Sequence, residues 1–297
     1  MKNDRFIRFM TRNGALRGGA ALVTDTLREL TARHDLWPTA AVALGRTLAG
    51  CALLSGLLKE GQRVALTVEG NGPLRKIIAE GDHDGALRGT VSNPHVDLMT
   101  PDGRFDVAGA VGRAGFLTVT RDLGIGTPYR GTVQLVTSEI GDDIAWYLTD
   151  SEQIPSAVGL AVGANREGIT VAGGFIVQSL PPVDERVIEE TMERIRSLPP
   201  LSPLLEGGEP PEGVIRRVLG DLSYDILEIR PLRFQCSCSR QKVTGILATL
   251  GPAELIRMAG EEEGTEVTCH FCGERYRFTP LELSELAATL GLSGGNA

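Results

Sequence analysis

Hydrophobic positions along the chain change their period several times. From about residue 20 to 58 they recur at helical spacing. Ala20 to Arg33 predicts one helix. Pro38 suits the first turn of a second, which carries Leu44, Leu48, Leu53 and Leu57 and stops near Gly61. Between Gln62 and Val136 the pattern shortens to β-like runs at Arg63–Val68, Leu74–Ala79 and Gly115–Thr120. Gly70, Gly72-Pro73, Gly81, Gly85 and Gly124-Ile125-Gly126 punctuate them as turns of a meandering sheet. Ser138 to Leu148 predicts a short helix with an acidic first turn, which suits the helix dipole. Ala157–Val162 and Ile169–Ser179 predict a hairpin turning at Asn165 to Gly168, and Pro181-Pro182 closes this first region.

The next stretch, 183–231, carries 11 acidic and 6 basic residues. One amphipathic run holds Val187, Ile188, Met192 and Ile195. A breaker from Pro199-Pro200 to Pro210-Pro211 separates it from a second, with Val214, Ile215, Val218, Leu219 and Leu222. A helix with one apolar stripe and one charged face needs a surface to dock on. Permanent packing on the first region and a docked element able to let go both satisfy that need.

Length and composition fit this division. The chain has 297 residues, 42% hydrophobic and 23% charged, with few aromatics and 37 glycines. It is natural for two domains and too ordinary in composition for a disordered, collagen-like or coiled-coil protein. A net charge of −8 argues against an electrostatic grip on nucleic acid. No uninterrupted apolar run of about 18 residues suggests a membrane span. Met1 to Met10, with Lys2, Asp4, Arg5 and Arg8, lacks the apolar core of a signal peptide, so a reducing cytoplasmic location is expected. No phosphate-binding GxxxxGK[ST] occurs, and no GxGxxG sits between a strand and a helix.

Four of the five cysteines lie in the last quarter: Cys236, Cys238, Cys269 and Cys272. Cys51, inside an apolar helical stretch, reads as a small buried residue. Cys236-Ser-Cys238 and Cys269-His-Phe-Cys272 form two close pairs separated by a segment that reads as two short helices between Gln241 and Met258. Two such pairs suit one tetrahedral zinc tetrathiolate. Gly273 can take a positive φ where the chain turns away, and Gly273 to Phe278 reads as a strand. His270 is not needed as a ligand, since four thiolates fill the coordination shell and leave no open catalytic position. A C-terminal module of about 66 residues is small for a core of its own, so it leans on its metal. A purely structural zinc knuckle and an oxidation-sensitive latch, in which oxidised thiolates let the metal go, are both compatible with this spacing.

The fold class expected is α+β. It comprises an N-terminal sheet-plus-helix core domain over 1–180, an amphipathic helical linker over 181–231 and a small C-terminal zinc-binding domain over 232–297.

The cysteine motifs, together with Ser151-Glu152-Gln153-Ile154-Pro155-Ser156 and Gly173-Gly174-Phe175-Ile176-Val177-Gln178, resemble the redox-regulated 33-kDa heat-shock chaperone (33-kDa chaperonin) family. The likeness extends over essentially the whole chain. It implies an ATP-independent holdase, not an enzyme, acting in the stress response. It further implies that in the reduced form one Zn²⁺ occupies Cys236, Cys238, Cys269 and Cys272. On the same resemblance, oxidation is expected to form the Cys236–Cys238 and Cys269–Cys272 disulfides and release the metal, after which the C-terminal module and then the linker unfold. The partners implied are unfolding client proteins, a second copy in an oxidised homodimer, and ATP-dependent refolding chaperones downstream. Neither nucleic acid nor a membrane is implied.

Rival readings are a zinc-ribbon nucleic-acid binder and a metallohydrolase or thiol oxidoreductase. Residues 232–297 hold 6 basic and 8 acidic residues, without the basic footprint of the first. The second lacks HExxH, and His34, His83 and His95 have no paired spacing.

Overall fold

The structure, a computed structural model, describes residues 4–261 and 263–293; Lys2 and the last four residues of the expected C-terminal domain lie outside them. The chain divides into two compact units between Gln235 and Cys236.

The first unit opens with a hairpin, β1 (Arg5–Thr11) and β2 (Leu16–Leu22), followed by helices α1 (Thr24–His34) and α2 (Pro38–Ser55). A meander follows: β3 (Arg63–Gly70), β4 (Lys76–Asp82), β5 (Ala86–Val91), a short α3 (Val107–Val111), β6 (Gly115–Asp122) and β7 (Tyr129–Gln134). Then come α4 (Gly141–Asp150) and the hairpin β8 (Ser156–Asn165) and β9 (Gly168–Ser179). Three helices, α5 (Glu185–Ser197), α6 (Leu201–Glu206) and α7 (Pro211–Leu219), lead to β10 (Tyr224–Pro231) and the two-residue β11 (Arg233–Phe234). An antiparallel sheet has the order β10-β1-β2-β9-β8, and a second sheet the order β11-β5-β4-β3-β6-β7.

Helix α2 packs against strands of both sheets, and its side chains are buried along nearly its whole length. It is long and apolar enough to cross a membrane, but 89% of that window is buried inside the fold, as befits a central core helix. The first sheet is covered on both faces. Phe6, Ala21, Ala172 and Ile176 face the α2 core, while Ile7, Phe9, Ala20, Val171, Phe175 and Val177 join Leu205 of α6 and Val214, Ile215, Val218 and Leu219 of α7. The period-two alternation of a strand therefore feeds two cores at once, which is why Ile169 to Ser179 reads as one continuous apolar run.

Three sequence expectations change. Ala20 to Leu22 belong to β2, and the first helix starts at Thr24. Small residues, Gly18 to Ala21, carry no β-like alternation, yet they let the sheet pack closely: a Cβ on Gly19 would lie 2.3 Å from the Phe6 ring. The helix expected from Ser138 starts at Gly141. Ser138 and Ile140 take positive φ in the preceding turn, which the Asp143 carboxylate ties down by accepting from the N–H groups of Val136, Thr137 and Ile140. The last eight residues of the expected helical linker form β10, paired with β1 from Arg5–Pro231 to Thr11–Tyr224. The expected β8–β9 hairpin is present, and the two amphipathic runs form α5 and α7, with Leu222 lying past the end of α7.

The second unit holds α8 (Arg240–Ala248), α9 (Pro252–Ala259), the hairpin β12 (Thr265–Thr268) and β13 (Arg275–Phe278), and α10 (Pro280–Ser293). Its core is small: Val243, Leu247, Leu255, Phe278, Leu283 and Ala287, with partly buried neighbours. Arg240 stacks its guanidinium 4.4 Å from the Phe278 ring centre and pairs with Glu282 at 2.6 Å. Ile246, Ile256 and Leu281 stay exposed.

Candidate metal centre

The four cysteines of the second unit converge from two short loops. Cys236 and Cys238 lie in the extended segment leading into α8, whose first turn is capped by Ser239 accepting from the Lys242 N–H at 3.2 Å. Cys269 and Cys272 sit in the tight turn between β12 and β13. There the Gly273 N–H donates to the Cys269 carbonyl at 2.9 Å, and the Cys269 N–H to the Glu274 carbonyl at 2.9 Å. Gly273 has φ +72°, as the turn requires. A CxxC on a hairpin turn differs from the helix-opening CxxC of thiol oxidoreductases.

All four Sγ atoms lie within 4.8 Å of one another and form the one group among the described residues whose spacing could hold a metal ion. Cys236 and Cys269 sulfurs are 3.7 Å apart, and those of Cys238 and Cys272 3.3 Å. A tetrahedron with metal–sulfur bonds of about 2.3 Å has sulfur–sulfur edges of about 3.8 Å, and the Cys236–Cys269 separation lies close to that value while the Cys238–Cys272 one is shorter. Four soft sulfur donors in this arrangement suit zinc or iron. Cys272 is buried and the other three partly so; His270 is exposed and outside the group.

Hydrogen bonds tune the sulfurs. Burial raises the Cys236 thiol, but the Cys238 N–H and the neighbouring thiols outweigh it and bring its pKa down to about 7. Burial pushes the Cys238 and Cys272 thiols up. The Tyr276 hydroxyl donates to the Cys238 sulfur at 3.1 Å, and this bond holds the phenol above its usual range. Tyr276 is the site residue that sequence reasoning missed. Its place on β13, four residues after Cys272, gives it no chemical signature.

Cys51 belongs to the first unit and is not part of this group. It is fully buried in α2, with its thiol donating towards the Val64 carbonyl at 3.8 Å, and burial pushes its pKa up.

The two upstream motifs meet in the first unit. Glu152 makes a two-pronged pair with Arg121 of β6, at 2.9 and 3.0 Å. Gln178 donates to the Ser156 hydroxyl at 3.3 Å and accepts from Arg17 at 3.1 Å. The paired glycines have a backbone reason. A Cβ on Gly173 would lie 2.4 Å from the Ala21 carbonyl, and one on Gly174 2.4 Å from that of Gly159.

Residues 4–279 match the family model described as Hsp33 protein. The 33 kDa chaperonin of Geobacter sulfurreducens is 50% identical over 288 residues, covering 97% of this chain and 96% of that one. The 33 kDa chaperonin of Bacillus cytotoxicus is 40% identical over 289 residues, covering 97% and 99%. The crystal structure of the 33 kDa chaperonin from Thermotoga maritima superposes with a TM-score of 0.90 at 37% identity, covering 97% of this chain and 98% of that one. Matched from its first strand through the second cysteine pair, the chain belongs to the Hsp33 chaperone family.

Proposed function

We propose that the protein is a redox-regulated, ATP-independent holdase whose latch is the four-sulfur cage. The observation that carries this reading is the cage itself, four thiols within 4.8 Å in a unit with a small core, within a chain of a chaperone family. Cys236, Cys238, Cys269 and Cys272 hold one zinc ion as thiolates. When bound, zinc crosslinks the two loops and supplies folding free energy on the order of 10–16 kcal/mol. A shell filled by four protein sulfurs serves structure and leaves no position for a substrate.

Oxidation removes the donors. The Cys269 thiolate attacks a peroxide oxygen, the O–O bond breaks, and a sulfenic acid and hydroxide form. The Cys272 thiolate then displaces the sulfenic oxygen as hydroxide, which takes up a proton to leave as water. Two electrons have passed from the sulfur pair to the peroxide. Cys236 and Cys238 do the same with a second peroxide. Disulfide sulfurs are poor ligands, so the second unit loses the crosslink that sustains it.

The docked segment 181–231 is the element proposed to respond. Its helices α6 and α7 cover Ile7, Phe9, Phe175 and Val177 of the first sheet. Their release bares apolar surface beside abundant charge, which binds unfolding chains while staying dispersed. Family resemblance adds dimerisation of the oxidised form, transfer of clients to ATP-dependent chaperones and a cytoplasmic location. No chemical turnover is part of this role.

The test quantifies zinc and free thiols before and after peroxide and measures suppression of client aggregation on both samples. Zinc release, loss of four thiols and a rise in suppression are expected together. Equal suppression by the reduced, zinc-loaded protein would show that the sulfurs do not control activity.

A further inference from the structure

Beneath α5 lies a partly open cleft of about 250 Å³, between that helix and the edge of the first sheet. Its walls are mostly apolar, with Leu16, Val177, Ile188 and Met192 among them. Four lining residues carry hydroxyls, Thr149, Ser156, Ser179 and Thr191, and the last two are buried without a partner among the described residues. Thr191 stands at the centre of the apolar stripe of α5, 3% exposed, and Ser179 ends β9, 8% exposed. Neither hydroxyl has a hydrogen-bond partner among the described residues. A buried hydroxyl without a partner is unfavourable, and burial in an apolar wall makes it more so. Valine and alanine would fill the same places without that cost.

We infer that this cleft is a binding site for a small neutral amphiphile, one hydroxyl or carbonyl on an apolar body of phenol size. The two hydroxyls supply both donor and acceptor for the polar head. The apolar wall takes the body. Among the described residues no charged one lines the cleft, so an ionised ligand would be buried without a counter-charge, which selects a neutral one. The volume lies just below the usual small-molecule range of about 300–1,000 Å³, which limits the body to about one ring. Such a ligand bridges α5 and β9 and favours the docked helix by mass action. Any effect on chaperone activation rests on the function proposed above; binding itself does not.

The test uses the full-length, reduced, zinc-loaded protein without client or oxidant, so it succeeds or fails independently of the redox latch. 4-Methylphenol is titrated against toluene, which has the same body without the hydroxyl, while methyl NMR signals of Met192 and Ile188 are followed. Saturable shifts are expected, with 4-methylphenol binding about tenfold more tightly than toluene. In the near-isosteric Ser179→Ala/Thr191→Val double variant that tenfold preference disappears, and Met192→Trp, which fills the cleft, abolishes both titrations. Absence of saturable shifts at millimolar 4-methylphenol, equal affinity for the two probes in the unmodified protein, or a preference that survives the double variant would each overturn the assignment. The variants' unchanged amide spectra outside the cleft establish that they fold.

Discussion

Asp4 caps a helix that begins twenty residues after it: its carboxylate accepts from the Thr26 N–H and hydroxyl, both at 2.7 Å. The same group accepts from the Asp25 N–H at 3.0 Å. Helix α1 has Val23 at its N-cap and no side-chain cap of its own. Its orphan donors are thus satisfied from the strand that starts the chain, and β1 and α1 are held in one arrangement. Asp4→Ala is expected to cost about 1–3 kcal/mol, since it removes a cap and leaves buried donors unpaired. Urea unfolding of the first unit measures this; a midpoint unchanged from the parent protein would mean that water replaces the carboxylate without loss.

The Arg121–Glu152 pair is expected to matter more than an exposed ion pair. Its side chains are only 20% and 15% exposed, and both oxygens of Glu152 are engaged. Arg121→Met leaves the carboxylate partly buried without its partner, at a cost of about 1–3 kcal/mol after allowance for the remaining solvent. Arg121→Met/Glu152→Gln should recover part of that loss. A double-mutant cycle by thermal unfolding decides; purely additive losses would show that the two side chains do not interact energetically.

Cys51 is expected to stay inert while the other four thiols react. It is fully buried, and burial favours its protonated form. The metal-free, reduced protein in buffer without denaturant should release four equivalents of chromophore with an aromatic disulfide reagent, and the fifth only in denaturant. Because the folded thiol has the raised pKa, its contribution to stability is fully present below the unfolded value, about 8.5, and falls as pH rises above it. Cys51→Ala should flatten that alkaline slope while opening a small cavity. Five thiols reacting at one rate in native buffer would contradict the burial of α2.

Periodicity and chemical scarcity made much of this molecule legible in its sequence. The β8–β9 hairpin shows in its two apolar runs, and the cage shows because four cysteines concentrated in one short region have few uses. Other features rest on long-range neighbours. Gly18 to Ala21 look helical or loop-like because a strand covered on both faces needs small residues more than alternation. The Asp4 cap and the Arg121–Glu152 pair join residues 22 and 31 positions apart. Thr191 was hidden inside a stripe that its neighbours Ile188 and Met192 made obvious. Tyr276 became a site residue only when β13 brought its hydroxyl to Cys238.

Chelation should melt the second unit and spare the core of the first around α2. The second unit buries few fully enclosed side chains, whereas the first has a continuous core around α2. Small modules of this kind draw their folding free energy from the metal. Helices α8, α9 and α10, of 9, 8 and 14 residues, should unravel when a strong zinc chelator is added under reducing conditions, with loss of roughly a third of the helical circular-dichroism signal. Both tryptophans, Trp37 and Trp146, lie in the first unit and report on it alone. Their emission should not shift on chelation, while the fluorescence of Tyr276, the single tyrosine of the second unit, changes as its bond to Cys238 is lost. Cys269→Ser or Cys272→Ser should reproduce the effect without chelator, by weakening the site at one corner. A chelated protein that keeps its full helical signal would show that the small core stands without the metal, and the cage could then no longer serve as the latch.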